Sequence, residues 1–390
     1  MNIIPDSLKH RLQEFVDIRR DLHAHPELGL KEFRTSELIA NKLSSWGYEV
    51  TRGIARTGVV AQLRRGAGSK RLGLRADMDA LPILETTGLA YASRHDGVMH
   101  ACGHDGHSTM LLAAAQHLAE HGRFNGTLNL IFQPAEEHPQ GAKMMVEDGL
   151  FVRFPCDAIY AMHNMPGIDQ GKLVFFGGQV AASSDDVTII VRGVGGHASR
   201  PQKSIDPIVA ASSIVMALQT IVSRNVDPRK AAVITVGAFN AGEANNVIPS
   251  HATLKLSVRA LDREVRDMLE QRICCLVKAQ AESFGLQAEV TYFRDCPVLI
   301  NTLPETDFAR QVGIDLLGQG RVVLQGEPLM GSEDFAYLLD HCPGSYFLIG
   351  NGPGEEGSCL LHNPGYDFND DNIGVGAAFW CSLAERFLHA

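Results

Sequence analysis

Apolar residues in the first part of the chain switch between helical spacing and short continuous runs. Within 6–25 they recur every three or four positions, which predicts a helix, and a second helix is expected to end at Gly47. Short apolar runs predict strands at 48–52, 59–64, 71–77, 127–137 and 157–164, the fourth running into a polar loop. A buried helix is expected at 108–120 and a short helix at 140–148. Strands that alternate with helices favour a mainly parallel sheet covered by helices.

The pattern changes near residue 184. Expected elements then follow in the order strand, helix, strand, strand, helix, strand, which is the order of a ferredoxin-like sandwich: 186–193, 206–223, 231–239, 252–259, 263–284 and 287–294. After Pro297 the first pattern returns, with a strand at 346–350 and a closing helix at 371–388. We therefore expect an α/β catalytic domain (1–184 and 297–390) interrupted by an inserted ferredoxin-like α+β domain (185–296).

Composition narrows the functional classes. The chain has 390 residues, 45% of them hydrophobic, and a formal net charge of -10. That charge argues against a nucleic-acid or anionic-membrane partner, since both favour basic patches. We see no transmembrane segment and no signal peptide in the sequence. The eight cysteines form no regular framework, which predicts reduced thiols and a cytoplasmic location.

The densest group of chemically active residues is HACGHDGH at 100–107. Cys102 and His104 offer a thiolate and an imidazole, a good ligand set for zinc, and imidazole also suits manganese, iron or nickel. Two glycines allow the backbone to turn so that these side chains converge. A polar loop with capping histidines would explain any one of them, but the density of ligand types favours a metal site.

A second candidate lies where a predicted strand ends in FQPAEE. Open α/β sheets place their sites at such strand ends. Glu136 and Glu137 can divide the work, because one carboxylate can bind metal while the other accepts a proton from water. An exposed acidic turn explains this pair equally well.

Weaker signals lie in the same predicted domain. His163 ends the strand in YAMHN, and His362 lies in a loop before the last helix. Asp77 and Asp79 follow a buried strand in RADMDALP, where an aspartate can orient a metal-bound histidine. Each residue has an ordinary structural explanation, and their shared place at strand ends favours one site.

The predicted inserted domain and the GSEDF segment also carry polar residues. His197 follows two glycines, and Asn246 and Arg259 come later; these side chains suit an oxyanion and a substrate carboxylate. GSEDF (Gly331, Ser332 and Glu333 onward) reads as a helix N-cap, although helix N-termini also bind carboxylates. For the three residues of the inserted domain, ordinary loop and strand roles are the favoured explanation from the residues alone, and a helix cap is an adequate explanation of GSEDF.

Together these motifs resemble a known family. The ordered series DLHAHPELG, RADMDALP, MHACGHDGH, FQPAEE, MHN, GGHASRP, NNVIP, GSEDF and LHNPGYDFND runs over nearly the whole chain. It is similar to the amidohydrolase branch of the dinuclear metallopeptidases, which includes hippurate hydrolase, the plant auxin–amino acid conjugate hydrolases and bacterial N-acetyl-diaminopimelate deacetylase.

The resemblance implies two divalent metal ions per subunit (manganese, zinc, nickel or cobalt) and a homodimer formed through the inserted domain, which acts as a lid. It also implies catalytic roles for three residues. Glu136 is the general base, Asp79 is the aspartate of the family motif, and His197 reaches into the active site of the partner subunit. Asp77 stands where the wider family has a metal-binding histidine, a departure from its pattern. The implied metal ligands are Cys102, His104, Glu137, His163 and His362, and the implied substrate contacts are Asn246, Arg259, Gly331, Ser332 and Glu333.

The implied activity is hydrolysis of the amide bond of N-acyl amino acids, such as hippurate-like or N-acetyl substrates. A dipeptidase or carboxypeptidase on the same scaffold is the alternative within enzymes. A non-catalytic protein that binds acyl amino acids is the alternative outside them, and the presence of every implied ligand and of the base argues against it.

Overall fold

The computed structural model describes residues 3–138, 140–352 and 359–389. They form two compact units. The first spans Met1–Gly178, Ile300–Glu327 and Asp334–Ala390, and the second spans Gln179–Leu299 and Pro328–Glu333. The second unit thus takes in a short later segment, Pro328–Glu333, which lies within the catalytic domain expected from the sequence.

Helices occur in both units. They are α1 (Asp6–Lys9), α2 (Leu12–Ala24), α3 (Phe33–Ser45), α4 (His104–His121), α5 (Gly141–Glu147), α6 (Leu150–Arg153), α7 (Pro207–Asn225), α8 (Arg263–Ser283), α9 (Leu303–Leu317), α10 (Phe335–Leu339) and α11 (Asp371–Phe387). The expected helix over 6–25 is divided into α1 and α2. The expected helix over 108–120 begins earlier, at His104, so this part of the ligand-rich segment belongs to a helix N-terminus.

Strands likewise occur in both units. They are β1 (Glu49–Ile54), β2 (Gly58–Arg65), β3 (Arg71–Asp77), β4 (Gly126–Gln133), β5 (Ala158–Pro166), β6 (Leu173–Val174), β7 (Gln179–Ala181), β8 (Ser183–Arg192), β9 (Gly196–His197), β10 (Ala232–Asn240), β11 (Val247–Ile248), β12 (His251–Ala260), β13 (Gln287–Cys296), β14 (Leu299–Ile300), β15 (Val322–Val323) and β16 (Gly344–Gly352).

The sheet of the first unit is mixed. Its strand order is β1-β2-β4-β3-β5-β16-β6-β15. The four neighbours β4, β3, β5 and β16 run parallel, whereas β1, β2 and β4 pair antiparallel and β6 pairs antiparallel with β16. The expectation of a mainly parallel sheet therefore holds at the centre and is wrong at the flanks. The parallel centre brings the carboxyl ends of several strands to one edge.

Apolar packing holds helices against this sheet. β3 and β5 are almost fully buried, as strands covered on both faces must be. α4 and α11 pack together, and α11 contributes aromatic side chains to the core. The ring of Phe347 lies 5.1 Å from that of Phe379 and 5.6 Å from that of Trp380. This close-packed layer gives the strand ends a rigid base.

The second unit has the topology of a ferredoxin-like sandwich. Its main sheet is antiparallel with the order β10-β12-β8-β13. Alternate residues of β8 and β12 are buried, because one sheet face is covered by α7 and α8. The predicted fold class, α/β with an inserted ferredoxin-like α+β domain, is confirmed.

No transmembrane segment is expected from the sequence, but one helix has the length and hydropathy of a candidate span. Among the described residues, α7 (Pro207–Asn225) could cross a membrane by its length and composition alone. Of its most apolar 18-residue stretch, 33% is buried inside the protein. The apolar pattern of the sequence does not predict a membrane span here. Residues of its buried face, among them Ile214 and Leu218, belong to the core of the second unit.

Candidate metal centre

The candidate residues of the first unit gather at one edge of its sheet. Asp77 ends β3, the Glu136–Glu137 pair follows β4, and His163 lies in the last half of β5. These strands are parallel neighbours, so their carboxyl ends lie side by side. The chain thus brings residues from distant sequence positions into one cluster.

Gly103 brings two of these residues into the cluster at the start of α4. Its φ is 91°, and an added Cβ would lie 2.3 Å from Nδ2 of Asn164. Only glycine suits both conditions. The sharp turn places Cys102 just before the helix and His104 at its first position.

Cys102 and His163 face each other in the buried part of the cluster. Sγ of Cys102 lies 3.4 Å from Nε2 of His163, while Nδ1 of His163 lies 2.6 Å from the carbonyl oxygen of Asn164. Donation from Nδ1 to that carbonyl leaves the Nε2 lone pair directed at the thiol. Burial and the neighbouring His107 hold the pKa of His163 well below its usual value, so this imidazole is neutral and able to bind a cation.

His104 is oriented from one side and open on the other. Its Nδ1 lies 3.1 Å from Oδ1 of Asp79. Its Nε2 is buried, has no hydrogen-bond partner among the described residues, and lies 3.9 Å from carboxylate oxygens of both Asp77 and Glu136. Burial lowers the pKa of His104, but the carboxylates of Asp77 and Asp79 outweigh it and raise the pKa to about 10.

Glu137 and His362 form the more exposed part of the cluster. Oε1 of Glu137 lies 3.0 Å from Nε2 of His362. The backbone N–H of Glu137 donates to Oδ2 of Asp79 at 3.0 Å, and that of His362 donates to the carbonyl of Ala101 at 2.8 Å. Burial would raise the pKa of Glu137, but His362 and His104 lower it. The carboxylate is therefore held in its charged form beside the imidazoles.

These side chains fit divalent cations. Their ligand atoms fall within 4.8 Å of one another in overlapping groups: Cys102, His104 and His163; Cys102, Glu137 and His362; and His104, Glu136 and Glu137. Thiolate, imidazole and carboxylate are the ligands of zinc and related ions. A bound cation would give a partner to the buried Nε2 of His104, which has no hydrogen bond among the described residues.

Comparison with known proteins identifies the family. Residues 73–386 match the family described as Peptidase family M20/M25/M40. The chain belongs to this family. It is 47% identical over 389 residues to hippurate hydrolase of Campylobacter jejuni, with 100% of each chain covered. It is 38% identical to N-acetyl-L-cysteine deacetylase of Bacillus subtilis, covering 98% of this chain and 90% of the relative.

A solved structure agrees with this assignment. The Bacillus subtilis YXEP protein, described as a dinuclear metal binding peptidase from the M20 family, matches with a TM-score of 0.85 and 31% identity, covering 97% of this chain and 99% of the other. The predicted resemblance to the amidohydrolase branch is confirmed, and this M20-family member is a hydrolytic amidase.

Sequence reasoning missed a buried arginine beneath the centre of this M20-family enzyme. Arg75 donates to Oδ2 of Asp77 at 2.7 Å, to Gln133 at 2.8 Å and to Asp334 at 3.3 Å. Gln133 and the backbone N–H of Ala142 also donate to Asp334, at 2.7 and 2.9 Å. This network joins the ends of β3 and β4 to the start of α10. RADMD contains Arg75, but nothing local in the sequence indicates its distant partners.

Asp77 and His107 have structural partners of their own. Nδ1 of His107 donates to Oδ1 of Asp77 at 2.7 Å, and Nε2 of His107 accepts from the backbone N–H of Asn164 at 3.0 Å. Burial would raise the pKa of Asp77, but His104, His107 and Arg75 hold it well below its usual value. Both oxygens of Asp77 accept hydrogen bonds, so its charge is available to the cluster while its position is fixed.

The remaining predicted residues belong to the second unit. His197 pairs with Val247 between β9 and β11, and its Nδ1 accepts from the backbone N–H of Ser199 at 3.1 Å. The carbonyl of Asn246 accepts from the N–H of Ala198 at 3.0 Å. His197 and Asn246 are exposed within this unit.

The GSEDF segment differs from its expected structure. Arg259 donates to Oγ of Ser332 at 3.2 Å, whereas Gly331 is exposed and Glu333 is buried. A helix begins in GSEDF as expected, but α10 starts at Phe335 with Asp334 at the N-cap position, so Ser332 and Glu333 precede the helix. The carboxylate of Asp334 binds Arg75 and Gln133 and makes no capping hydrogen bond to the helix.

Proposed function

We propose that this enzyme hydrolyses the amide bond of N-acyl amino acids and releases a carboxylic acid and a free amino acid. The observation that carries the proposal is the close group of thiol, imidazole and carboxylate ligands, three of the five buried, with Glu136 at its margin. Oε2 of Glu136 lies 3.9 Å from Nε2 of His104, which has no hydrogen bond among the described residues. The side chain of Glu136 is only 10% exposed. A carboxylate so placed is within reach of a reacting group bound in the cluster.

Two divalent ions would be held by the predicted ligand set, which is Cys102, His104, Glu137, His163 and His362. When bound, such ions polarise an amide carbonyl and lower the pKa of water. The description of the YXEP protein as a dinuclear metal binding peptidase supports this count. Manganese, zinc, nickel and cobalt all suit thiolate, imidazole and carboxylate ligands.

The protein side chains would then move the proton and hold the geometry. Glu136 accepts a proton from the attacking water and delivers it to the nitrogen of the leaving amino acid. Asp79 keeps His104 in one orientation through Nδ1 and holds the backbone N–H of Glu137. These contacts fix two neighbours of Glu136, so the base is positioned before the substrate arrives.

The acyl group is proposed to be benzoyl or acetyl. The relatives named hippurate hydrolase and N-acetyl-L-cysteine deacetylase support this substrate class. From the sequence resemblance we also propose His197 as a partner of the developing oxyanion and Asn246 as a substrate contact. Arg259 donates a hydrogen bond to Ser332. We propose that its guanidinium, with Gly331–Glu333, binds the substrate carboxylate, because a guanidinium can donate two parallel hydrogen bonds to one carboxylate.

We further propose that the enzyme is cytoplasmic and forms a homodimer through its second unit. Exposed large apolar side chains on that unit support the dimer, because their burial against a second copy would remove them from water. They include Val209 and Met216 on α7 and Val233 and Phe239 on β10.

A panel of substrates tests the proposed activity. We expect release of glycine from hippurate, or of the amino acid from N-acetyl amino acids, at least about tenfold faster in kcat/KM than from dipeptides, a difference of about 1.4 kcal/mol in transition-state binding. Amino-acid release is measured for each compound with the same metal-loaded sample. Faster cleavage of dipeptides would support a peptidase instead, and no cleavage by a fully metal-loaded sample would indicate a binding protein.

A further inference from the structure

The turn that carries Glu136 is held by a buried carboxylate that the mechanism does not use. Ala135, directly before Glu136, has a φ of 51°, in the left-handed region that non-glycine residues rarely adopt. Its backbone N–H donates to Oε1 of Glu32 at 2.9 Å. Glu32 is 0% exposed. A strained backbone persists when its surroundings fix it, and Glu32 supplies one of the fixing bonds.

Glu32 is itself held from the other side. The hydroxyl of Thr57 donates to its Oε2 at 2.6 Å. Burial raises the pKa of Glu32 to about 7 although both hydrogen bonds lower it. A carboxyl group buried at this cost in solvation depends on the hydrogen bonds that it accepts.

The segment around Glu32 also contacts the other loop of the centre. The backbone N–H of Ala80, directly after Asp79, donates to the carbonyl of Glu27 at 2.8 Å. At Gly29 an added Cβ would lie 2.4 Å from the carbonyl oxygen of His138 and 3.0 Å from Cβ of Ala135. The segment 27–32 therefore lies directly against both the Asp79 loop and the Glu136 turn.

We infer that Glu32 is a positioning residue that holds the turn at Ala135, and through it the carboxylate of Glu136, in the geometry needed for proton transfer. This inference rests on the proposed function for its effect on rate. The bond from Ala135 reaches one end of the turn, the bond from Glu137 to Asp79 reaches the other, and Glu136 lies between them. A displacement of about 1 Å in a catalytic group costs about 100-fold in rate.

The test compares an isosteric variant of Glu32 with a shortened one. Glu32→Gln keeps an oxygen acceptor at the same reach, whereas Glu32→Asp keeps the charge but is one methylene too short to accept from Ala135. We expect Glu32→Asp to lower kcat about 100-fold with little change in KM, and Glu32→Gln to restore most of kcat. A purely electrostatic role would give the reverse order, and equal kcat values in wild type and Glu32→Asp would overturn the inference.

Hydrogen–deuterium exchange of the peptide over 131–138 gives a readout independent of substrate. Exchange should be faster in Glu32→Asp than in wild type and slow again in Glu32→Gln, because protection of the Ala135 amide depends on an acceptor. Glu85→Asp is the matched control: the side chain of Glu85 is also only 5% exposed, but its carboxylate binds His23 and the N–H of Ser93, so 131–138 should exchange as in wild type. If wild type cleaves no N-acyl amino acid, the proposed function fails, while unchanged exchange in Glu32→Asp overturns the role of Glu32.

If Glu32→Asp does not fold, faster exchange in folded Glu32→Ala supports the inference, and unchanged exchange there overturns it.

Discussion

Replacement of Glu136 by Gln is expected to leave the metal content unchanged and to lower kcat by about 100- to 10,000-fold, the usual contribution of a general base. Gln has nearly the same shape but cannot accept a proton. Its neighbours Asp79 and His104 keep their mutual hydrogen bond, so the cluster should retain its ions. Metal analysis by mass spectrometry and steady-state kinetics on the best N-acyl amino acid measure the two effects separately.

The adjacent carboxylate provides the matched comparison. Glu137→Gln removes a predicted ligand that lies 3.0 Å from His362, so that variant should lose metal, and added metal should restore part of its activity. Added metal should not rescue Glu136→Gln. Substantial turnover by fully loaded Glu136→Gln would contradict the assignment of Glu136 as the base.

Replacement of Cys102 by Ala is expected to have the second largest effect. Burial and the carboxylates of Glu137 and Glu136 raise the pKa of this thiol well above its usual value in the metal-free protein, so its ionisation depends on a bound cation. Loss of the thiolate should weaken metal binding by more than about 100-fold, because even the outer partners of metal ligands contribute about 10- to 100-fold. Competition with a chelator of known affinity measures the loss.

A second buried cysteine serves as the control for Cys102. Cys381 lies in α11 and contacts the carbonyl of Ala114, away from the candidate ligands. Cys381→Ala should bind metal as wild type does, although the core substitution can lower the melting temperature. Unchanged metal affinity in Cys102→Ala would show that this thiol is not a ligand.

Local patterns in the sequence predict much of the fold. Apolar spacing indicated α2, α4 and the ferredoxin-like order of the second unit, because each element buries one face or stripe. The same reasoning gave the wrong start for α4. Gly103 ends the preceding loop in a left-handed conformation, so the helix includes His104, whose polar side chain does not follow the apolar spacing.

The candidate ligands could be predicted because they are dense and chemically distinct, but their supporting partners could not. Arg75 and Asp334 are separated by 259 residues, and Glu32 and Ala135 by 103. Such pairs form only when the sheet assembles, and a charged residue in a loop or strand gives no local signal of burial. Mixed strand directions at the sheet flanks are equally a product of tertiary packing.

The requirement for metal tests the central claim most directly. The enzyme is stripped with a chelator and titrated with manganese or zinc, while bound metal per chain and amino-acid release from hippurate or an N-acetyl amino acid are followed together. We predict loss of activity on stripping and full recovery as the second ion per chain binds. Undiminished hydrolysis by the stripped protein would contradict the account.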